Sequence, residues 1–155
     1  MYGARAEQWK KIAGEDKNGI IGEKNISGVP EVHTIGRIDK AIYSCITEDI
    51  VTDEVIITDN QIQHIKERHP QDYQNILDKV KDVISSPEYI IYDSHPNTGL
   101  VIGNVFENGE AAQVVLRIVT SADEQGYKNS IISCWKISAK RLQNYLRNKL
   151  VLYKK

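Results

Sequence analysis

The chain predicts an α+β fold: N-terminal helices packed on a four-stranded antiparallel sheet, closed by a C-terminal helix. Three observations carry that expectation. Tyr73, Ile76, Leu77, Val80, Val83 and Ile84 recur at helical spacing, which marks a strongly amphipathic helix. The texture then changes to β-branched runs separated by turn formers, His95-Pro96-Asn97-Thr98-Gly99 and Asn108-Gly109. Near the end, Leu142, Tyr145 and Leu146 share one side of a segment that Ser138 is placed to cap.

Taken in order, Ala4 to Ala13 reads as a short helix of weak periodicity. Gly14, Gly19, Gly22, Gly28 and Pro30 then mark a flexible linker. We therefore divide the chain into an extension over 1–31 and a folded domain over 32–155. Ile42 to Ile46 reads as a short strand, and Val55-Ile56-Ile57 is a brief β-branched run. Thr58 with Gln61 three positions later forms a capping box, so a helix starts at Asp59. It ends near His69, because Pro70 disfavours helical backbone at the residue before it. The amphipathic helix follows and stops at Ser85-Ser86-Pro87. Strands are expected over Tyr89–Tyr92, Leu100–Phe106, Ala111–Val119 and Ile131–Ile137, then the last helix through Arg147. There is no internal repeat.

Composition sets bounds on function. A hydrophobic content of 41% with 26% charged residues is that of an ordinary globular protein. Cys45 and Cys134 are too few for a disulfide framework, and neither belongs to a C-x-x-C pair. There is no apolar run long enough for a membrane span and no secretory leader, so synthesis in the cytoplasm is expected. The net charge of −1 hides an asymmetry. No acid follows Glu124, whereas the first 124 residues hold all 21 acidic residues. A cationic C-terminal third fits a polyanionic partner, or simply a solvated basic helix and tail.

The capped helix concentrates the chemistry. Ile62, Ile65 and His69 share one face, while Gln61, His64 and Arg68 form a neighbouring row with His64 and Arg68 one turn apart. A titratable imidazole beside a permanent cation suits work on a phosphate. Arg117 lies inside the longest apolar run, where a charge must be paired or aimed at a ligand. A salt bridge to Asp78 or Asp82 is its structural explanation; a place on the first-helix side or in a cleft is its functional one. Lys128, Ser130, Ser133 and Lys136 line the next strand, a composition that suits a phosphate clamp and equally an ordinary strand edge. Alternation alone does not choose a face for either serine.

Metal and cofactor chemistry find no support in the spacing. His64 and His69 are five apart rather than four, and Arg68 stands where H-x-x-E-H needs histidine. No phosphate-binding glycine loop or nucleophile elbow is present. We expect no cofactor and no metal. By residues alone, two readings remain: acid–base chemistry on RNA, whose 2′-hydroxyl is its own nucleophile, and a plain binding domain.

Val55 to Pro70 (VIITDNQIQHIKERHP), Ser86 to Ile91 (SPEYII), Tyr127 to Ile132 (YKNSII) and the ending Tyr145 to Lys149 (YLRNK) resemble the phage and prophage nucleases of the barnase–EndoU–colicin–RelE superfamily. Such domains are found at the C-terminus of MuF-type phage head proteins and of polymorphic toxins. The resemblance covers about Ile35 to the end, with the helix motif its most specific part. It implies an α+β fold and a metal-independent ribonuclease that leaves a 2′,3′-cyclic phosphate. His64, Arg68, His69, Arg117 and Ser130 become the catalytic candidates, with Lys128, Ser133 and Lys136 binding substrate. RNA, tRNA among the candidates, is the implied partner, together with a cognate immunity protein and no membrane. A phage particle or a target cell becomes a further expected location. No capsid-protein portion accompanies the domain here. Two other readings stand beside the nuclease: a non-catalytic nucleic-acid- or protein-binding module, and a structural phage-head element.

Overall fold

The computed structural model describes residues 31–103 and 107–155. The helix expected over Ala4–Ala13, the glycine linker and Phe106 lie outside the described residues. Strand β1 (Val32–Arg37) and the one-turn helix α1 (Lys40–Tyr43) come first, then β2 (Glu54–Thr58), α2 (Asp59–Arg68) and α3 (Tyr73–Ser85). The rest is β3 (Tyr89–Tyr92), β4 (Thr98–Gly103), β5 (Ala111–Arg117), β6 (Asn129–Ile137), α4 (Ala139–Asn148) and β7 (Val151–Lys154).

These strands form one seven-stranded mixed sheet in the order β1-β2-β6-β5-β4-β3-β7. That overturns the expected four-stranded antiparallel sheet with helices at its N-terminal side. The meander β3 to β6 is antiparallel, but β2 pairs parallel with β6 (Val55↔Asn129, Ile56↔Ser130). A strand pair therefore precedes the helices, and β7 returns antiparallel along β3 at the far edge. The additional strands were hidden for a physical reason. Edge strands β1 and β7 are only partly buried, so Val32–Arg37 shows no regular apolar alternation and the apolar Val151-Leu152-Tyr153 is too short to read as a strand without its neighbour β3. Ile42 to Ile46 is not a strand. Asp39 caps α1 there, its Oδ1 accepting the Ala41 N–H at 2.9 Å.

Both faces of the sheet are covered. On the first, α2 and α3 bury Ile65, Ile76, Val80, Val83 and Ile84 against Val55, Ile57, Val101, Val114, Leu116 and Ile131. Full burial of each such side chain contributes roughly 1.5–3 kcal/mol. On the second face, Leu142 of α4 joins Ile91, Leu100, Ile102, Val115, Ile132 and Ile137. The cap at the start of α2 forms, with the Gln61 N–H donating to Thr58 Oγ1 at 3.2 Å. Ser138 caps α4 in the same way, accepting the Arg141 N–H at 3.1 Å. Gly109 adopts φ +86°, the left-handed backbone that its turn requires.

Strand β6 carries a bulge. Val115 pairs with Ser133, but Leu116 pairs with Ile131, so Ile132 is the extra residue. In an unbroken strand Ser130 and Ser133, three apart, would point to opposite faces. The bulge puts them on the same one.

Burial pushes the Cys134 thiol up to about 12 from an ordinary 9.0. An acid raised in the folded state contributes stability that is complete below its unfolded value and is lost as pH climbs towards the folded one. Urea unfolding should therefore show stability falling between pH 9.0 and about 12. Cys134→Ala should flatten the first part of that fall. Thr58→Ala should cost about 1 kcal/mol by removing the cap, read as a lowered thermal midpoint that Thr58→Ser restores.

Candidate active site

Cross-strand register collects the buried polar side chains. Thr98, Arg117 and Ser130 are direct neighbours across β4, β5 and β6, on the second face. Ser133 opposite Val115 and Trp135 opposite Gln113 continue this polar strip on the same face. Ser130 is 1% exposed and Gln113 1%, and neither Ser130 Oγ nor Gln113 Oε1 has a hydrogen-bond partner among the described residues. A buried polar atom left so costs roughly 1–3 kcal/mol, which segregates such atoms to sites with a use for them.

Helix α2 borders this strip. The Ile56↔Ser130 pairing sets where the chain leaves β2, and the His69 ring stacked on Trp135 (centroids 5.8 Å, planes 14° apart) sets where α2 ends. Between those points α2 packs along β6. Ile62 and Ile65 enter the first core. At about 100° per residue, His64 lies about 160° around the helix from Ile62, on a different side of α2 from that core residue. His64 is half-buried, with Nε2 shielded from solvent. Arg68, one turn on, is exposed and has no ion pair among the described residues. His69 also ends the helix, its N–H donating to the Ile65 carbonyl at 2.8 Å.

The other basic residues are engaged by acids. Arg117 makes a two-pronged pair with Asp123, Nη2 to Oδ1 at 3.0 Å and Nη1 to Oδ2 at 3.3 Å. Its partner is thus neither Asp78 nor Asp82 but a carboxylate of the β5–β6 loop, only six residues on. Asp123 also accepts the Thr120 N–H at 2.9 Å, so the pair folds this loop onto the end of β5. Lys128 Nζ donates to Glu54 at 2.9 Å. Lys136 lies on the first face, opposite Ala112, between Glu110 at 3.4 Å and Asp72 at 3.6 Å. Hence the fold brings Ser130, Ser133 and Arg117 to one face beside the helix of His64, Arg68 and His69. Lys136 goes to the opposite face and Lys128 to the sheet's end.

A cavity of about 510 Å³ opens at that end, lined by Glu54, Ser121, Asp123, Glu124 and Lys128 among others. Three carboxylates against one ammonium give it the wrong sign for a phosphate. His33 belongs to β1, where its Nε2 sits 2.6 Å from Asp59 Oδ1 and 3.9 Å from Glu31. These three are the one group of metal-ligand type among the described residues, and they already satisfy one another. Sequence reasoning missed Gln113, Trp135 and Thr98. Gln113 was open to the argument used for Arg117: a polar residue two positions from Val115 in an apolar run shares its face.

Fold and site together define a strand-rich, mixed-sheet protein with four of its buried polar side chains, Thr98, Gln113, Ser130 and Ser133, gathered on one sheet face between a histidine-bearing helix and a basic one. The chain belongs to the family described as phage-Barnase-EndoU-ColicinE5/D-RelE like nuclease2, which matches residues 31–154. It is thus a member of a nuclease family of phage type. No curated protein and no solved structure matches the chain.

The Arg117–Asp123 pair, 14% and 4% exposed at the side chains, yields a stability prediction. Asp123→Asn and Arg117→Met should each cost about 3 kcal/mol, because each strands one member of a largely buried pair. In urea unfolding the double variant should lose clearly less than the sum of the two.

Proposed function

We propose that the protein is an endoribonuclease that cleaves RNA by metal-independent transesterification. One observation supports this reading: the capped helix α2, which carries half-buried His64, packs along β6, the strand whose bulge turns Ser130 and Ser133 to one face. In this mechanism neutral His64 removes the proton of the 2′-hydroxyl, and the oxygen so freed attacks the adjacent phosphorus. The P–O5′ bond breaks, the departing oxygen takes a proton from a general acid, and a 2′,3′-cyclic phosphate remains. His69, held by its stack on Trp135, is the candidate acid. The hydroxyls of Ser130 and Ser133 donate to the non-bridging oxygens, and Arg68 supplies positive charge at the rim. Substrate enters at the α2 border, where His64, His69 and Trp135 are half-buried. Arg117 serves by holding the β5–β6 loop, and Lys128 contributes only when released from Glu54. RNA, tRNA among the candidates, is the substrate, and the producing cell then needs an immunity protein, as for a phage-borne toxin.

A second reading, a non-catalytic RNA-binding module, draws on the ion pairs of Arg117, Lys128 and Lys136, which leave few cations for a transition state. Incubation of purified protein with total RNA in EDTA separates the two. Wild type should cleave, and His64→Ala should lose roughly 10²–10⁴-fold in rate, the usual contribution of a positioned acid or base, with its thermal midpoint unchanged. Intact RNA in the wild-type lane, or full activity in His64→Ala, would overturn the nuclease mechanism. An RNA methylated at every 2′-oxygen should resist cleavage, since it lacks the nucleophile.

A further inference from the structure

Helix α4 is amphipathic in an unusual sense: its wet side carries only cations and amides. Lys140, Arg141, Gln143, Asn144, Arg147 and Asn148 are all exposed, while Leu142 is buried and Tyr145 and Leu146 are half-buried beneath. No acid occurs anywhere after Glu124, so nothing on α4 or its flanks neutralises that side. Lys140, Arg141 and Arg147 have no ion pair among the described residues, in contrast to Arg117, Lys128 and Lys136. An ordinary solvated helix mixes signs, and α3 does so with Asp78, Lys79, Lys81 and Asp82.

The placement of this charge decides what it serves. Leu142 docks on the second face, in one cluster with Val115 and Ile132, which are neighbours of Ser133 and Gln113. With Leu142 against the sheet, the cationic side of α4 looks outward on the same side of the molecule as the polar strip, and α2 with exposed Arg68 borders that strip. Lys140 and Arg147 are two turns apart, about 10 Å along the axis, long enough to meet more than one phosphate of a single strand. The amides between them are hydrogen-bond donors as well as acceptors, suited to phosphate and ribose oxygens.

We propose that α4 is a backbone-binding site for RNA, a rail separate from the reacting residues that holds a strand several nucleotides long across the second face. It rests on RNA being the ligand of the reading above and does not rest on cleavage. The substrate is accordingly an extended RNA rather than a mono- or dinucleotide.

The test uses the full chain and a fluorescent 20-nucleotide single-stranded RNA bearing 2′-O-methyl groups, so that binding is read without turnover. Anisotropy is measured from low to high salt for wild type, for Lys140→Gln/Arg141→Gln/Arg147→Gln, and for a charge-matched control, Lys40→Gln/Lys79→Gln/Lys81→Gln. Loss of three phosphate contacts should lower the slope of log affinity against log salt by about 2 in the α4 variant. Its affinity near 0.1 M salt should fall tenfold or more, with the control within twofold of wild type. Equal affinity and slope in wild type and the α4 variant would overturn the rail. So would an equal loss in the control, since net charge rather than α4 would then govern binding. A wild type that binds with this signature yet cleaves nothing supports the rail and removes only the catalytic reading.

Discussion

Two residue pairs, Val55↔Asn129 and Ile56↔Ser130, join β2 to β6 in parallel, and the rest of the arrangement hangs from them. They attach the strand pair β1–β2 to the antiparallel meander, and they place the start of α2 beside the serine-bearing strand. Asn129, fully buried, secures the junction from within. Its Nδ2 donates to the Thr52 carbonyl at 2.8 Å, and its Oδ1 accepts the Val119 N–H at 2.8 Å. One amide thus links the approach to β2 with the exit from β5. A buried side chain satisfied at both ends tolerates little substitution, because either half left alone is a buried polar group without a partner.

Charge is distributed with a clear division of labour. At the sheet's end and on the first face, cations meet carboxylates: Arg117 with Asp123, Lys128 with Glu54, Lys136 with Asp72 and Glu110. These contacts order loops and turns. On α4, Lys140, Arg141 and Arg147 have no acid on their own helix, and α2 ends on exposed Arg68; both helices border the second face. A polyanion approaching the protein meets attraction on that side and an acid-lined cavity at the loop end, so the field by itself orients the approach.

How much of this was legible depended on whether the signal was local. Thr58, Ser138 and Pro70 mark helix ends through contacts within a turn of the chain, and α2 begins and ends, and α4 begins, where those residues say. The periodicity from Tyr73 to Ile84 is likewise a one-turn property, and α3 follows it. The resemblance carried by VIITDNQIQHIKERHP named the family that matches residues 31–154. The strand count did not come out, because Val32–Arg37 and Val151–Lys154 are strands only by virtue of a neighbour. Arg117 had a charge that demanded a partner, but which carboxylate would meet it depended on how the β5–β6 loop folds back.

The amino-acid sequence by itself determined the three longer helices α2, α3 and α4, the turns, the basic C-terminal third and the histidine-bearing motif, since each is set by forces acting over a few residues. The seven-stranded order, the parallel β2–β6 junction and the face on which each side chain falls were decided only in three dimensions. Ser130 and Ser133 show why. Their separation by an odd number of residues assigns them to opposite faces, and a single bulged residue, Ile132, selected by pairing with a distant strand, turns both to the same side.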